Sequence, residues 1–126
     1  MNDVETLQSI FSGMQLNFGI FMLVLAVFIA TDFVTGILKA YKNEKKISSS
    51  KLRDGGFKKA GIVLTVVLGF CLSKLFSDEN YLILHCVQAY YIYTEFISIL
   101  ENLEAMDIDI PKIFKKILGD IDGNSH

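Results

Sequence analysis

Two long stretches of the chain contain almost no charged residues. No Asp, Glu, Lys or Arg occurs between Glu5 and Asp32, a run of 26 residues. From Tyr81 to Leu100 the only charged residue is Glu95. A hydrocarbon core about 30 Å thick needs roughly 20 apolar helical residues, whereas helices of soluble bundles carry polar residues along one face. Both stretches therefore predict transmembrane helices.

A third apolar stretch is shorter and gives a weaker signal. Residues 60–73 carry no charge but number only 14, a length that also suits a re-entrant or core helix. The long side chain of Lys74 can reach the membrane interface, which extends the span to residue 76. We therefore predict an all-α integral membrane protein with about three transmembrane helices, at residues 16–38, 60–76 and 81–100.

The rest of the chain adds one short helix and no second domain. Nothing in residues 1–126 marks a linker, so we predict a single domain. Pro111 stands where a new helix would begin, and residues 111–118 form an amphipathic pattern able to lie on an anionic membrane surface. Met14 offers a second start, although an internal methionine is common by chance.

Basic residues concentrate in the predicted loop at residues 39–59. This loop carries eight basic residues against two acidic ones. An excess of Lys and Arg in a short loop marks the cytoplasmic side, so three spans place the N-terminus outside and the C-terminus inside. The loop either contacts anionic lipids or acts only as a topology signal. Its basic residues are Lys39, Lys42, Lys45, Lys46, Lys51, Arg53, Lys58 and Lys59.

Ionisable residues inside the predicted spans raise a functional question because they are costly in lipid. Asp32 either pairs with Lys39 or Thr35 at the interface, or faces water or another subunit. On the third span, polar residues fall on one side of a helix. That stripe either forms a seam within a bundle or lines an oligomeric pore. The candidate pore or inter-helix residues are Asp32, Gln88, Glu95, Ser98 and Asn102.

Small residues recur at four-residue spacing and predict close helix packing. Such rows let the backbones of neighbouring helices approach one another. Three helices leave no lumen between them, so any conducting structure built from this chain must be a homo-oligomer. The candidate packing residues are Gly36, Ala40, Gly61, Thr65, Gly69 and Ser73.

Other functional classes find no support in the sequence. There is no Gly-rich phosphate loop and no His, Cys and carboxylate spacing typical of a catalytic or metal site, so we predict no enzyme and no cofactor. Cys71 and Cys86 both lie in apolar stretches and suit buried thiols. The basic loop is bracketed by membrane helices, which argues against nucleic-acid binding.

Three motifs resemble the toxin-secretion and phage-lysis holins of Gram-positive bacteria and their phages. Residues 31–40 match the pattern Asp-x-x-Thr-Gly-x-x-Lys-Ala, and residues 49–59 match Ser-Ser-x-x-x-x-Gly-x-x-Lys-Lys. Residues 95–102 are close to the pattern Glu-x-x-Ser-Ile-x-Glu-Asn, the most specific of the three, and Ile110-Pro111 follows.

The resemblance implies a protein of the bacterial cytoplasmic membrane that assembles with itself and permeabilises that membrane at a set time. The lesion would let an endolysin reach peptidoglycan or let a toxin leave. The alternative is a non-lytic membrane protein, an ion-channel or transporter accessory subunit with Asp32 and Glu95 on a cation path.

Overall fold

The computed structural model describes residues 2–13 and 19–124, and all regular structure within these ranges is α-helical. The all-α prediction is therefore confirmed. Met14 and the start of the first predicted span, residues 16–18, lie outside the described residues. The helices are α1 (Asp3–Gly13), α2 (Gly19–Lys42), α3 (Ser49–Leu75), α4 (Leu82–Ala105) and α5 (Lys112–Asn124).

The predicted basic loop at residues 39–59 is wrong in extent, because most of it is helical. Only residues 43–48 connect α2 to α3. The side chain of Ser48, in extended backbone at φ −91° and ψ 146°, accepts the Lys51 N–H at 3.1 Å and caps α3. Lys, Leu and Arg favour helix once it is capped, so the charged residues after Ser48 extend α3 by eleven residues before Ala60.

Helix α4 is the central helix, since it packs against both α2 and α3. It runs parallel to α2. Near one end of the pair, the rings of Phe21 and His85 lie 4.6 Å apart. Near the other end, Lys42 Nζ donates a hydrogen bond to the carbonyl oxygen of Met106.

Helix α3 runs antiparallel to α4, and a polar turn joins their adjacent ends. The Ser73 hydroxyl accepts the Leu84 N–H at 3.1 Å and donates to Asp78 at 3.2 Å. Asp78 also accepts the Ile83 N–H at 2.8 Å. These bonds satisfy amide groups that the start of α4 would otherwise leave unpaired. The Ile83 N–H, helped by the other donors, lowers the pKa of the Asp78 carboxyl.

Helix α5 begins directly after Pro111 and continues beyond the predicted residue 118 to Asn124. A single glycine at position 119 weakens a helix but does not end it. Leu118 is buried with Leu100 against α4. The apolar side of α5 is therefore partly occupied by its own chain instead of being wholly free for a membrane surface.

Helices α2 and α3 have the properties of membrane spans. They contain 24 and 27 residues with mean hydropathies of 2.3 and 1.6 in their most apolar windows, and only 11% and 17% of those windows is buried. Large apolar side chains such as Leu23 and Leu64 are 66% and 65% exposed. Core helices of soluble proteins bury such residues, so α2 and α3 are better suited to lipid than to a water-soluble core. Among the described helices α4 does not reach the same hydropathy.

The small residues on α3 do not form one continuous packing surface. A Cβ on Gly69 would lie 3.2 Å from Val87 Cγ2 on α4, and Ser73 is buried against the same helix. A Cβ on Gly61 would meet nothing within 4 Å, and the Thr65 hydroxyl donates to the Gly61 carbonyl within α3. The row drifts around the helix, so only its C-terminal half packs within the chain.

On α2, the small residue Gly36 lies beside α4. A Cβ on Gly36 would lie 3.8 Å from Asn102 Nδ2. Ala40, one turn further on, is half-buried. A Cβ at position 36 would therefore make only an ordinary van der Waals contact with Asn102, unlike the tighter contact at Gly69.

We expect Gly69→Leu to destabilise the bundle and Gly61→Leu to leave it intact. Overpacking a filled contact typically costs about 1–3 kcal/mol, and only Gly69 has such a contact. Unfolding in mixed micelles, followed by circular dichroism, measures both variants. Equal stability of the two variants would contradict the packing of Gly69 on Val87. Crosslinking of the Gly61→Leu variant in membranes further reports whether a second copy uses the open half of the row.

Candidate functional site: a charge cluster between the three long helices

One lysine joins two carboxylates at the point where α2, α3 and α4 meet. Lys59 Nζ on α3 lies 2.6 Å from Asp32 Oδ2 on α2 and 2.6 Å from Glu95 Oε2 on α4. The three side chains are only 19%, 12% and 6% exposed, respectively. Each helix thus contributes one charged group to a shared, nearly buried cluster.

A second layer of polar groups holds the aspartate in place. Asn102 Nδ2 lies 3.1 Å from Asp32 Oδ1 and 3.0 Å from Thr35 Oγ1, and Ser98 lines the same cavity as Asp32. The Thr35 hydroxyl donates to the carbonyl of Thr31, 2.8 Å away, which leaves its oxygen free to accept from Asn102. Both oxygens of the Asp32 carboxylate are therefore engaged, one by Lys59 and one by Asn102.

The polar side of α4 continues beyond the cluster. Gln88, Glu95 and Asn102 are all buried and lie seven residues apart, so they face the same direction on the helix. Gln88 Oε1 lies 3.1 Å from His85 Nδ1. The Gln88 Nε2 group has no hydrogen-bond partner among the described residues. On this polar side of α4, the described polar groups near Glu95 therefore all have ion-pair or hydrogen-bond partners, whereas near Gln88 one amide nitrogen has none.

The electrostatic balance of the cluster depends on all three charges. One cation between two carboxylates leaves a formal charge of −1 when all three groups are ionised. A buried charge is tolerated when it is paired and hydrogen-bonded, but losing one partner typically costs about 3–5 kcal/mol. Lys59 is the only cation within ion-pair distance of Asp32 and Glu95 among the described residues. The bundle therefore depends on this one side chain.

The structure places four residues of the predicted polar face on the side of α4 that faces its neighbours, and the fifth, Asp32 on α2, meets them there. The expected partners of the Asp32 carboxylate, Lys39 and Thr35, are wrong. The carboxylate pairs with Lys59 and accepts a hydrogen bond from Asn102, whereas the Thr35 hydroxyl contacts the backbone carbonyl of Asp32 at 3.1 Å. The five residues are Asp32, Gln88, Glu95, Ser98 and Asn102.

The prediction that Lys59 belongs to a lipid-facing basic loop is wrong, since the residue lies on α3 and points between two carboxylates. The position of Lys59 in the sequence could have indicated this role. Lys59 directly precedes the uncharged run of α3, and its long side chain can bury its stem while placing the ammonium group on a buried acid. Lys42 is likewise occupied, by the Met106 carbonyl. The remaining basic residues, Lys39, Lys45, Lys46, Lys51, Arg53 and Lys58, form no ion pair within the described ranges.

Comparison with known proteins places these features in a family. The profile of the bacteriophage holin family matches residues 9–123. An uncharacterized 14.9 kDa protein in the nagH 3′ region of Clostridium perfringens is 35% identical over 98 residues, which cover 77% of this chain and 73% of that protein. An uncharacterized protein of C. perfringens strain 13 is 32% identical over 103 residues, covering 81% and 75%.

A more distant similarity extends to another genus. An uncharacterized protein of Listeria monocytogenes is 30% identical over 103 residues, which cover 81% of this chain and 71% of that protein. No solved structure matches the chain significantly.

The family match spans α2, α3 and α4 and includes each charged member of the cluster. The three motifs that carry the resemblance lie far apart in sequence, yet each supplies one residue to the same site: Asp32, Lys59 and Glu95. This chain belongs to the bacteriophage holin family.

Proposed function

We propose that the protein is a holin that self-associates in the bacterial cytoplasmic membrane and forms a lesion. Through that lesion an endolysin would reach the cell wall, or a toxin would leave the cell. The observation that supports the proposal is a set of polar side chains buried between the helices and enclosed by an apolar exterior. The charges meet within the bundle, while α2 and α3 present large apolar side chains outward.

Three crossings account best for this arrangement. Helix α4 runs beside α2 along its length and has 24 residues, about 36 Å at 1.5 Å per residue. It therefore extends through the same slab of membrane as its neighbours. Its polar side would meet α2 and α3 instead of lipid, which explains a lower hydropathy than a lipid-facing span has.

The charges favour one orientation of these crossings. Lys39 near the end of α2 and Lys51 near the start of α3 lie at the same end of the bundle. Such an excess of basic residues favours the cytoplasmic side. The N-terminus of α2 then lies outside and the C-terminal α5 inside.

Self-association follows from the lack of space in one copy. Leu25, Val66 and Leu84 are almost completely buried between the helices and leave no lumen along the bundle axis. A lesion therefore requires several copies. In such an assembly, the polar side of α4 in each copy would contact water or another copy instead of its own α2 and α3. Within the part of the chain that spans the membrane in this proposal and that the structure describes, the polar side of α4 and its partners on α2 and α3 are the groups that could line a wet opening.

Controlled expression in a bacterium tests the proposal. We expect a delay, then abrupt loss of membrane potential, uptake of propidium, and rapid lysis only when a peptidoglycan hydrolase without an export signal is co-expressed. Leu68→Arg is the matched control, because Leu68 is 62% exposed on α3 and an arginine near a span centre costs about 2.5–3.5 kcal/mol of insertion.

Each outcome has a distinct meaning. Membrane-inserted protein that leaves the potential intact would overturn the proposal. Cation leakage without propidium uptake or hydrolase release would instead support the alternative, a small ion-channel or transporter accessory protein with Asp32 and Glu95 on its path.

A further inference from the structure

A cavity of about 570 Å³ opens at the basic end of the bundle, next to the charge cluster. Its walls come from the C-terminal half of α2, the connection at residues 43–48, the N-terminal half of α3 and the last turns of α4. Helices α2 and α3 both pack on α4, and the cavity lies between them at this end of the bundle.

The charge lining this cavity is strongly positive and unbalanced. Six lysines against one aspartate contribute to its walls, and only Lys59 has a carboxylate partner among the described residues. The one acidic group, Asp32, is the partner of that same Lys59 and so cannot neutralise the other five. The lysines are Lys39, Lys45, Lys46, Lys51, Lys58 and Lys59.

The remaining walls are apolar and continue onto the lipid-facing surface. Phe33 and Leu52 line the cavity and are 40% and 38% exposed. Ile37 and Ile47 also line the cavity, and in the sequence each lies between one of these apolar residues and a lysine. From Asp32 to Lys39 the cavity wall extends about 10 Å along α2, so it joins the lysines to the apolar part of the wall.

We infer that this cavity binds the headgroup of one anionic phospholipid, such as phosphatidylglycerol, from the inner leaflet. The phosphodiester lies among Lys39, Lys45, Lys46 and Lys51, where charge-assisted hydrogen bonds to phosphate are strong. The glycerol and the first acyl carbons contact Phe33 and the other apolar side chains. A free phosphate ion would satisfy the lysines but leave those apolar walls without a partner, so the lipid is the better occupant.

Native mass spectrometry of the full chain in neutral maltoside micelles tests this site, since such micelles have no surface potential of their own. We expect one phosphatidylglycerol to be retained per chain, in preference to phosphatidylcholine. Lys39→Gln/Lys51→Gln should weaken retention about tenfold or more, because the loss of even one hydrogen bond to a charged group has an effect of this size. Lys39→Arg/Lys51→Arg should retain the lipid.

Arg53→Gln/Lys116→Gln is the matched control, because it removes the same charge from residues that do not line the cavity. We expect it to retain the lipid like the unmodified chain. Equal weakening in both double glutamine variants would show unspecific attraction and overturn the proposal. So would equal retention of phosphatidylcholine, or displacement of the lipid by millimolar inorganic phosphate. Because retention is measured without any lesion, the result is independent of the proposed lytic function.

Discussion

Lys59→Met is expected to destabilise the bundle by about 3–5 kcal/mol, the usual cost of leaving buried charges without their partner. The variant leaves two carboxylates facing each other between α2, α3 and α4, with no other cation within reach among the described residues. Unfolding in mixed micelles of increasing denaturing-detergent fraction measures the loss. Lys58→Met is the matched control, since Lys58 is the adjacent residue, carries the same charge and is exposed.

A compensated variant sharpens this test. Asp32→Asn/Lys59→Met/Glu95→Gln removes the whole cluster together with its desolvation cost, and such replacements are often neutral or stabilising. We therefore expect the triple variant to recover most of the stability that Lys59→Met loses. If Lys58→Met were as harmful as Lys59→Met, or the triple variant no better than the single one, the cluster would not hold the helices together.

Asn102→Ala should loosen the seam and advance the onset of permeabilisation. Asn102 is buried and pairs with both Asp32 and Thr35. Removing a hydrogen bond to a charged group typically costs about 1.5–3 kcal/mol. If copies assemble through the polar side of α4, a bundle that opens more easily frees this side sooner. The interval between induction and loss of membrane potential measures the effect.

Asn80→Ala serves as the control for this substitution, because Asn80 is exposed in the turn before α4. We expect its onset to match that of the unmodified chain. An Asn102→Ala protein that is less stable but triggers at the usual time would separate bundle stability from lesion formation. The polar side of α4 would then be a structural seam only.

The charge cluster also explains why the three motifs at residues 31–40, 49–59 and 95–102 occur together in this chain. Residues 27, 36 and 70 positions apart in sequence contact each other in the cluster. A change in one helix therefore acts directly on the other two. The adjoining lysine-lined cavity shares Asp32 and Lys59 with the cluster, so the lipid site that we propose adjoins the contacts between the helices.

The sequence by itself determined the helical, membrane-embedded character of the protein and the residues that cannot face lipid. Uncharged runs of membrane length and a polar residue every seven positions on α4 are local patterns, so they are readable without knowledge of the neighbours. Helix α3 begins at Ser49, eleven residues before the predicted start at residue 60, because the Ser48 side chain caps the helix there.

Only the tertiary structure decided which groups meet. Periodicity shows that Asp32, Glu95 and Asn102 need partners, but the identity of a partner depends on which helices pack together and in which direction. The sequence predicts Lys59 in a lipid-facing basic loop, and in the fold it is the residue that joins three helices. Gly61 and Gly69 are alike in sequence context, yet only Gly69 contacts α4. The physical reason is that ion pairs and hydrogen bonds form between residues that are close in space. The spacing of residues along one helix does not determine which residues of another helix come close to them.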